Sequence, residues 1–403
     1  MDKVIVVGGG LAGLRAVEAL RGNGHEGALT LVSAERYRPY DRPPLSKAVL
    51  AGETDDTTVD ADWDVLRCEL LLGERATGLR LDPAGGVVAS TAGDLPFDGL
   101  VIATGAVPIT LPGDGRQHVL RTIDDARDLR SRLVPGARIV IVGAGWIGAE
   151  VATAAAKRGC SVTVIEAADT PLAAAIGTEV GAYTAPWYEE AGVELRTGVK
   201  VAEVRDGGLV LAGGDRIDAD EVVVGVGVRP ELSWLDGSGL LLERGVVTDG
   251  SFRAYVGAEE PGSVRRDVVA VGDCASWWSA RYGRRLLVEH WDVALNAPEV
   301  AAASLLGQDA VYDAVPYFWS EQFGRMVQYA GSHASAERIV HRGDPSDPKW
   351  AVAWLTGDRL DAILTVDRPR DLVQARRVIA AGTPVDPAAI ADPDVPVRQA
   401  VRG

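Results

Sequence analysis

Two stretches of this chain share one order of parts: a short apolar strand, a glycine-rich turn, a helix-forming run, a second apolar strand and an acidic residue. In the first, residues 4–7 lead into Gly8, Gly10 and Gly13, and residues 29–32 precede Glu35. In the second, residues 138–142 lead into Gly143, Gly145, Ile147 and Gly148, and residues 161–165 precede Glu166. The first glycine of each set makes a tight turn, the second lets backbone N–H groups approach a pyrophosphate, and the third lets helix and strand pack closely. Phosphates then meet the positive end of a helix dipole, and the carboxylate beyond the second strand accepts hydrogen bonds from ribose hydroxyls. The chain is therefore predicted to be an α/β protein with two Rossmann-like dinucleotide-binding units.

Glycine spacing alone would be weak support. Gly accounts for 47 of 403 residues, so three fixed glycines arise by chance roughly 0.6 times in such a chain, and only context rescues the motif. Gly22, Gly24 and Gly27 fit the same spacing, yet they end a helix and precede a strand, so no helix N-terminus faces a phosphate there.

A net charge of −16 argues against nucleic acid or an anionic membrane surface as partner. No apolar stretch of spanning length or secretory leader is legible, so the expected location is cytoplasmic. Cys68, Cys160 and Cys274 form no closely spaced pair, which excludes a local redox dithiol, and they are too few for an iron–sulfur cluster. The five histidines show no ligand spacing, so no metal site is expected.

Along the chain, residues 100–103 read as a buried strand closed by Thr104 and Gly105, and Pro108 and Pro112 mark an exit. A charged helix over residues 122–133 leads into the second unit, where residues 222–228 read as a strand whose end resembles the 103–105 segment. Residues 267–271 form another buried strand, ending in Gly272 and Asp273, before an aromatic and arginine-rich stretch to Trp291 and a helix to about residue 306. The first unit lacks a last core strand, so this later segment is assigned back to it. From Tyr317 the alternating apolar runs and one helix over residues 371–381 predict a small α+β domain, with an irregular tail over 384–403. The expected domains are thus 1–109 with 235–315, 110–234 inserted between them, and 316–403.

With these motifs in order, the chain resembles the FAD-dependent NADH:ferredoxin reductases of cytochrome P450 and aromatic-ring dioxygenase systems, the putidaredoxin-reductase-like family. The likeness rests on both fingerprints and on the segments 39–47, 103–105, 120–126, 271–275, 289–291 and 316–322. It implies a glutathione-reductase-like arrangement with one nucleotide domain inserted in the other. It implies that Gly8, Gly10, Gly13 and Glu35 hold the ADP half of FAD. Arg42, Pro43 and Lys47 would lie along its ribityl and ring region, with Arg121, Ala103, Thr104, Gly105, Gly272, Asp273 and Trp291 near the cofactor. Gly143, Gly145, Ile147, Gly148 and Glu166 would hold NADH, and Glu150 would reach the nicotinamide carboxamide. A lysine near the flavin favours the negative charge that grows as the ring accepts hydride, so Lys47, Glu150 and Trp291 are the expected catalytic residues. Glu166 facing a 2′-phosphate would be a like-charge clash, so NADH is expected over NADPH. An iron–sulfur ferredoxin would take the electrons one at a time and feed a P450 or dioxygenase.

The chain departs from the family pattern at Ile109, where an arginine is expected, and at Ala297 and Pro298, which replace Gln-Gly. Either change could alter flavin potential or partner docking. A flavin disulfide reductase would need a thiolate near residues 40–50, where this chain has Pro43, Pro44, Leu45 and Ser46. An NADH oxidase, a monodehydroascorbate-type reductase and an FAD/NADH redox-sensing binding protein stand as alternatives. Because the reductase and its ferredoxin would both be acidic, docking requires a local positive surface, for which Arg36, Arg38, Arg42, Arg281, Arg284 and Arg285 are the expected residues.

Overall fold

The structure, a computed structural model, describes residues 1–257 and 262–402. Residues 258–261, inside the predicted return segment, and Gly403, the end of the predicted tail, lie outside the described residues. The chain divides into two compact units. Unit 1 comprises Met1–Asp41, Thr57–Val107 and Arg229–Pro316; unit 2 comprises Arg42–Asp56, Pro108–Val228 and Tyr317–Gly403.

Unit 1 is organised by strands that are almost wholly apolar. Lys3–Val7 and Gly99–Ile102 are buried along almost their whole length, the pattern of parallel strands covered on both faces. They sit centrally in a nine-stranded sheet. Its parallel part runs Ser263–Ala270, Gly99–Ile102, Lys3–Val7, Ala28–Ser33, Glu69–Leu72. The late strand pairs Val268, Val269 and Ala270 with Leu100, Val101 and Ile102. Strand order reverses on either side of Lys3–Val7, and ligands bind beyond the carboxyl ends of strands at such a switch point. Leu11–Gly22 and Trp291–Leu305 pack together, and both contribute buried alanines, Ala12, Ala16 and Ala19 from one and Ala297, Ala301 and Ala302 from the other. Pro298 lies inside the second of these helices, which continues past it, although the proline has no N–H for the carbonyl of Ala294.

Unit 2 repeats the design on a smaller sheet. Glu194–Arg196, Ser161–Ile165, Arg138–Val142 and Glu221–Val224 are all parallel, in that order. Helix Ile123–Arg132 opens with a capping box between Thr122 and Asp125, which satisfies backbone donors the helix cannot pair itself. The segment Arg42–Asp56 belongs here. Leu50, on the short helix Ala48–Ala51, is fully buried in one core with Leu129, Ile139 and Ala155. The C-terminal part is a five-stranded antiparallel sheet, Tyr317–Gln322, Arg325–Gly331, Arg359–Val366, Trp350–Thr356, Arg338–Arg342, covered by helix Pro369–Ala381.

Two local expectations are corrected. The strand expected over 222–228 stops at Val224; Gly227 has φ +115°, which turns the chain out of the sheet. The tail is ordered rather than irregular, with helix Pro387–Ala391, a 3-10 turn Val397–Gln399 and a bridge between Val385 and Val401. One buried arginine anchors it alongside buried Val385, Ile390 and Val397. Arg342 is 1% exposed; it pairs with Asp371 at 2.8 Å and donates to the carbonyls of Ile390, Asp392, Pro393 and Val395. A buried guanidinium must place its donors, and the tail supplies the oxygens.

Candidate functional site

Within each unit the loop follows its strands at the same register. Val7 pairs with Val32 and Ile102, and Val142 pairs with Ile165 and Val224. Gly8 and Gly143 therefore occupy equivalent positions, with positive φ of 122° and 101°. A Cβ on Gly8 would overlap the carbonyl of Ala103, and one on Gly143 that of Gly225. Gly105 and Gly227 are likewise equivalent, again with positive φ. Gly13 and Gly148 bring their helices against the carbonyls of Gly8 and Gly143, where a side chain would collide.

Gly10 and Gly145 differ from these packed glycines. A Cβ on Gly10 meets nothing within 4 Å, and one on Gly145 meets only the Gly225 carbonyl at 3.9 Å. Each is the N-cap of a 12-residue helix, Leu11–Gly22 or Trp146–Lys157, with no side-chain cap and no acidic residue in the first turn. Open space before uncapped N–H groups at a positive helix end fits a dinucleotide pyrophosphate. Ile147, the second residue of its helix, is 43% exposed at this entrance.

The acidic residues are not equivalent. Glu166 directly follows Ile165, and its carboxylate accepts from the Ala144 N–H at 2.7 Å and the Ala168 N–H at 2.8 Å. One oxygen is thus tied to the glycine loop itself, while each retains capacity for another donor. In unit 1 the register counterpart of Glu166 is Ser33, and Glu35 lies two residues further on. Tyr40 donates its hydroxyl to Glu35. The period of the motif does not reveal this offset; the strand register does.

The other unit 1 residues gather at the same sheet end. Thr104 donates to the Glu231 carbonyl at 2.8 Å, and Gly105 accepts from the Glu231 N–H. Gly272, at φ +73°, lies against Ala12 of the loop helix, next to Asp273 in the 3-10 turn Gly272–Cys274. Trp291, the first residue of helix Trp291–Leu305, donates to Asp41 at 2.9 Å. The preceding His290 is held down to about 4 by burial, against the opposing pull of the Asp273 carboxylate, so it is neutral near pH 7.

In unit 2, Lys47 and Glu150 meet. The Lys47 ammonium lies 2.8 Å from the Glu150 carboxylate, which is 4% exposed, and also donates to the Pro43 carbonyl at 3.3 Å. Ser46 donates to the same Glu150 oxygen, and Ser320 donates to the other at 2.6 Å. Gln322 donates to Ser320 at 3.1 Å. Ser46 and Ser320 lie inside the segments 39–47 and 316–322, but nothing in their spacing points to Glu150. Arg42 donates to the carbonyl of Arg121, just before the cap of helix Ile123–Arg132. Ile109 donates its backbone N–H to the Gly227 carbonyl at 3.0 Å and is 38% exposed.

The three cysteines are unpaired, and burial pushes each thiol up, Cys68 to about 11. None is poised as a thiolate nucleophile. Of the arginines expected at a docking surface, Arg281 pairs with Asp313 at 2.6 Å, Arg36 lies over Tyr37, and Arg285 donates to the Thr248 and Ser276 carbonyls. Arg285 therefore holds the sheet edge, and replacing it would disturb the fold.

Two nucleotide-loop units, the second of which carries the C-terminal antiparallel sheet, define a flavin- and pyridine-nucleotide-dependent oxidoreductase. Residues 2–297 match the pyridine nucleotide-disulphide oxidoreductase family and residues 317–401 the reductase C-terminal family, and the chain belongs to this family. It is 38% identical to the ferredoxin–NAD(+) reductase component of the anthranilate 1,2-dioxygenase system of Burkholderia cepacia, over 98% of each chain. Among solved structures it is similar to Fdr9, with 49% identity, TM-score 0.92 and coverage of 98% and 99% of the two chains. It is also similar to the putidaredoxin reductase of a covalent complex with putidaredoxin, with 32% identity, TM-score 0.91 and coverage of 99% and 97%. Among the described residues no helix is long and apolar enough to cross a membrane.

Proposed function

We propose that the protein is an FAD-dependent NADH:ferredoxin reductase that serves a P450 or ring-hydroxylating oxygenase. The observation that carries this reading is end-to-end similarity to ferredoxin reductase components in a chain whose three cysteines are pushed by burial away from the thiolate form. Bound FAD supplies the conversion of one hydride, two electrons, into two single-electron transfers to an iron–sulfur protein.

The chain's own residues do the rest. The helix end at Gly10 receives the FAD pyrophosphate and the one at Gly145 that of NADH. Glu166 accepts ribose hydroxyls and rejects a 2′-phosphate. Lys47 offers a positive charge from a largely buried position, held in place by Glu150. Asp273, Thr104 and Trp291 belong to the FAD side. A cytoplasmic location accords with three unpaired thiols.

The test is acceptor dependence. NADH-driven cytochrome c reduction should be fast only when an iron–sulfur ferredoxin is added, with FAD released on heating. Rapid hydrogen peroxide formation without ferredoxin would instead mark an oxidase.

A further inference from the structure

Glu150 is a buried carboxylate with one oxygen facing Lys47 and Ser46 and the other facing Ser320. Ser320 comes from a different part of the chain, 170 residues away, on the first strand of the C-terminal sheet. That strand alternates: Ser320 and Gln322 are each 1% exposed, while Glu321 between them faces outward. A hydroxyl has a single proton. Because Gln322 donates its amide to the Ser320 oxygen, the Ser320 proton is left for Glu150. One turn further along the Glu150 helix, Thr153 accepts the Phe323 N–H at 2.9 Å, so strand and helix are pinned at two points. Trp146, beside Gly145, also packs edge-on against Phe318 with ring centroids 4.6 Å apart.

We infer that Ser320, oriented by Gln322, is a positioning residue that aims the Glu150 carboxylate toward the nicotinamide end of the bound nucleotide, so that the C-terminal domain takes part in nucleotide recognition. This rests on the reading of the Gly145 loop as the NADH site and of Glu150 as its contact to the nicotinamide carboxamide, the role the family resemblance implies. Lys47 and Ser46 fix only one carboxylate oxygen, which leaves the group free to swing about that point. Ser320 removes the swing by holding the second oxygen. The phosphate-binding loop and Glu166 do not depend on this contact, so its loss should be felt at one end of the ligand only.

NAD+ and ADP-ribose separate the two ends, because ADP-ribose has the pyrophosphate and riboses but no nicotinamide. Affinities of the holoprotein for both are measured by titration calorimetry in wild type, Ser320→Ala and Ser320→Thr. Loss of a hydrogen bond to a charged group corresponds to at least about tenfold. Ser320→Ala should weaken NAD+ by at least about tenfold and leave ADP-ribose unchanged, and Ser320→Thr, which keeps the hydroxyl, should restore NAD+ binding. Equal weakening of both ligands, or of neither, overturns the inference, as does Ser320→Thr behaving like Ser320→Ala. If Ser320→Ala does not fold, Ser320→Cys, of similar shape but only a weak donor, is held to the outcomes set for Ser320→Ala. Wild-type protein that binds NAD+ no better than ADP-ribose would instead remove the assignment of Glu150 to the nicotinamide, leaving a purely structural contact.

Discussion

Single atoms decide what each nucleotide loop can accept. At Glu166 two backbone N–H groups fix the carboxylate beside the loop it follows, so a 2′-phosphate would meet an aimed negative charge rather than a mobile one. Replacing Glu166 with Ser should narrow the NADH over NADPH preference in kcat/KM by at least about tenfold; an unchanged ratio would remove Glu166 as the selector. The glycines make a sharper pair. Gly8→Ala forces a Cβ into the Ala103 carbonyl at φ +122°, whereas Gly10→Ala puts a methyl into open space at φ −86°. Gly8→Ala should therefore lower the unfolding temperature, while Gly10→Ala should leave folding intact but yield protein with reduced FAD content, as read from flavin absorbance per chain.

Elements are set by a mixture of local and distant demands. Helix Ile123–Arg132 is written into its own residues by the capping box of Thr122 and Asp125. The C-terminal tail is not. Its proline- and aspartate-rich sequence carries no period, and it takes shape around Arg342, whose partners lie 29 to 53 residues downstream. Arg342→Met should leave Asp371 with Arg368 as its remaining cation and take one donor from each of the Ile390, Asp392 and Val395 carbonyls. Removing one partner of a buried pair costs about 3–5 kcal/mol, and urea unfolding should register a loss of that order. A change below about 1 kcal/mol would mean that the tail is held by its apolar contacts instead.

The whole molecule should be acid-sensitive in two steps. His290 has its folded value pulled down to about 4 by burial, while an unfolded histidine titrates near 6.5. Between those values the unfolded chain binds a proton that the folded chain refuses, so stability is complete above about pH 6.5 and declines toward pH 4, on the order of 3 kcal/mol in all. Burial would raise the Asp371 carboxyl, but hydrogen bonds from Arg342 and Arg368 outweigh it and lower its value. Its contribution is therefore present above about pH 3.9 and lost as pH falls through the lower folded value. Thermal unfolding from pH 3 to 8 should show both declines, and His290→Gln should reduce the upper one, to which His25, also lowered by burial, contributes, while leaving the lower one unchanged.

The nucleotide loops were legible in the sequence because their constraints are local: a glycine that must take positive φ, or let a helix touch a strand, is required by atoms a few residues away. The apolar run of the return strand marks it as buried, but its pairing beside Gly99–Ile102 is a matter of the sheet. Other features depend on register and on packing between distant segments. Tertiary structure set Ser33, not Glu35, opposite the position of Glu166. It brought Ser46 and Ser320 to Glu150 across 104 and 170 residues, committed Arg285 to the sheet edge and ordered the tail around Arg342. Hydrogen-bond partners in a buried cluster are chosen by the geometry of the elements that meet there, and no spacing along the chain records that meeting.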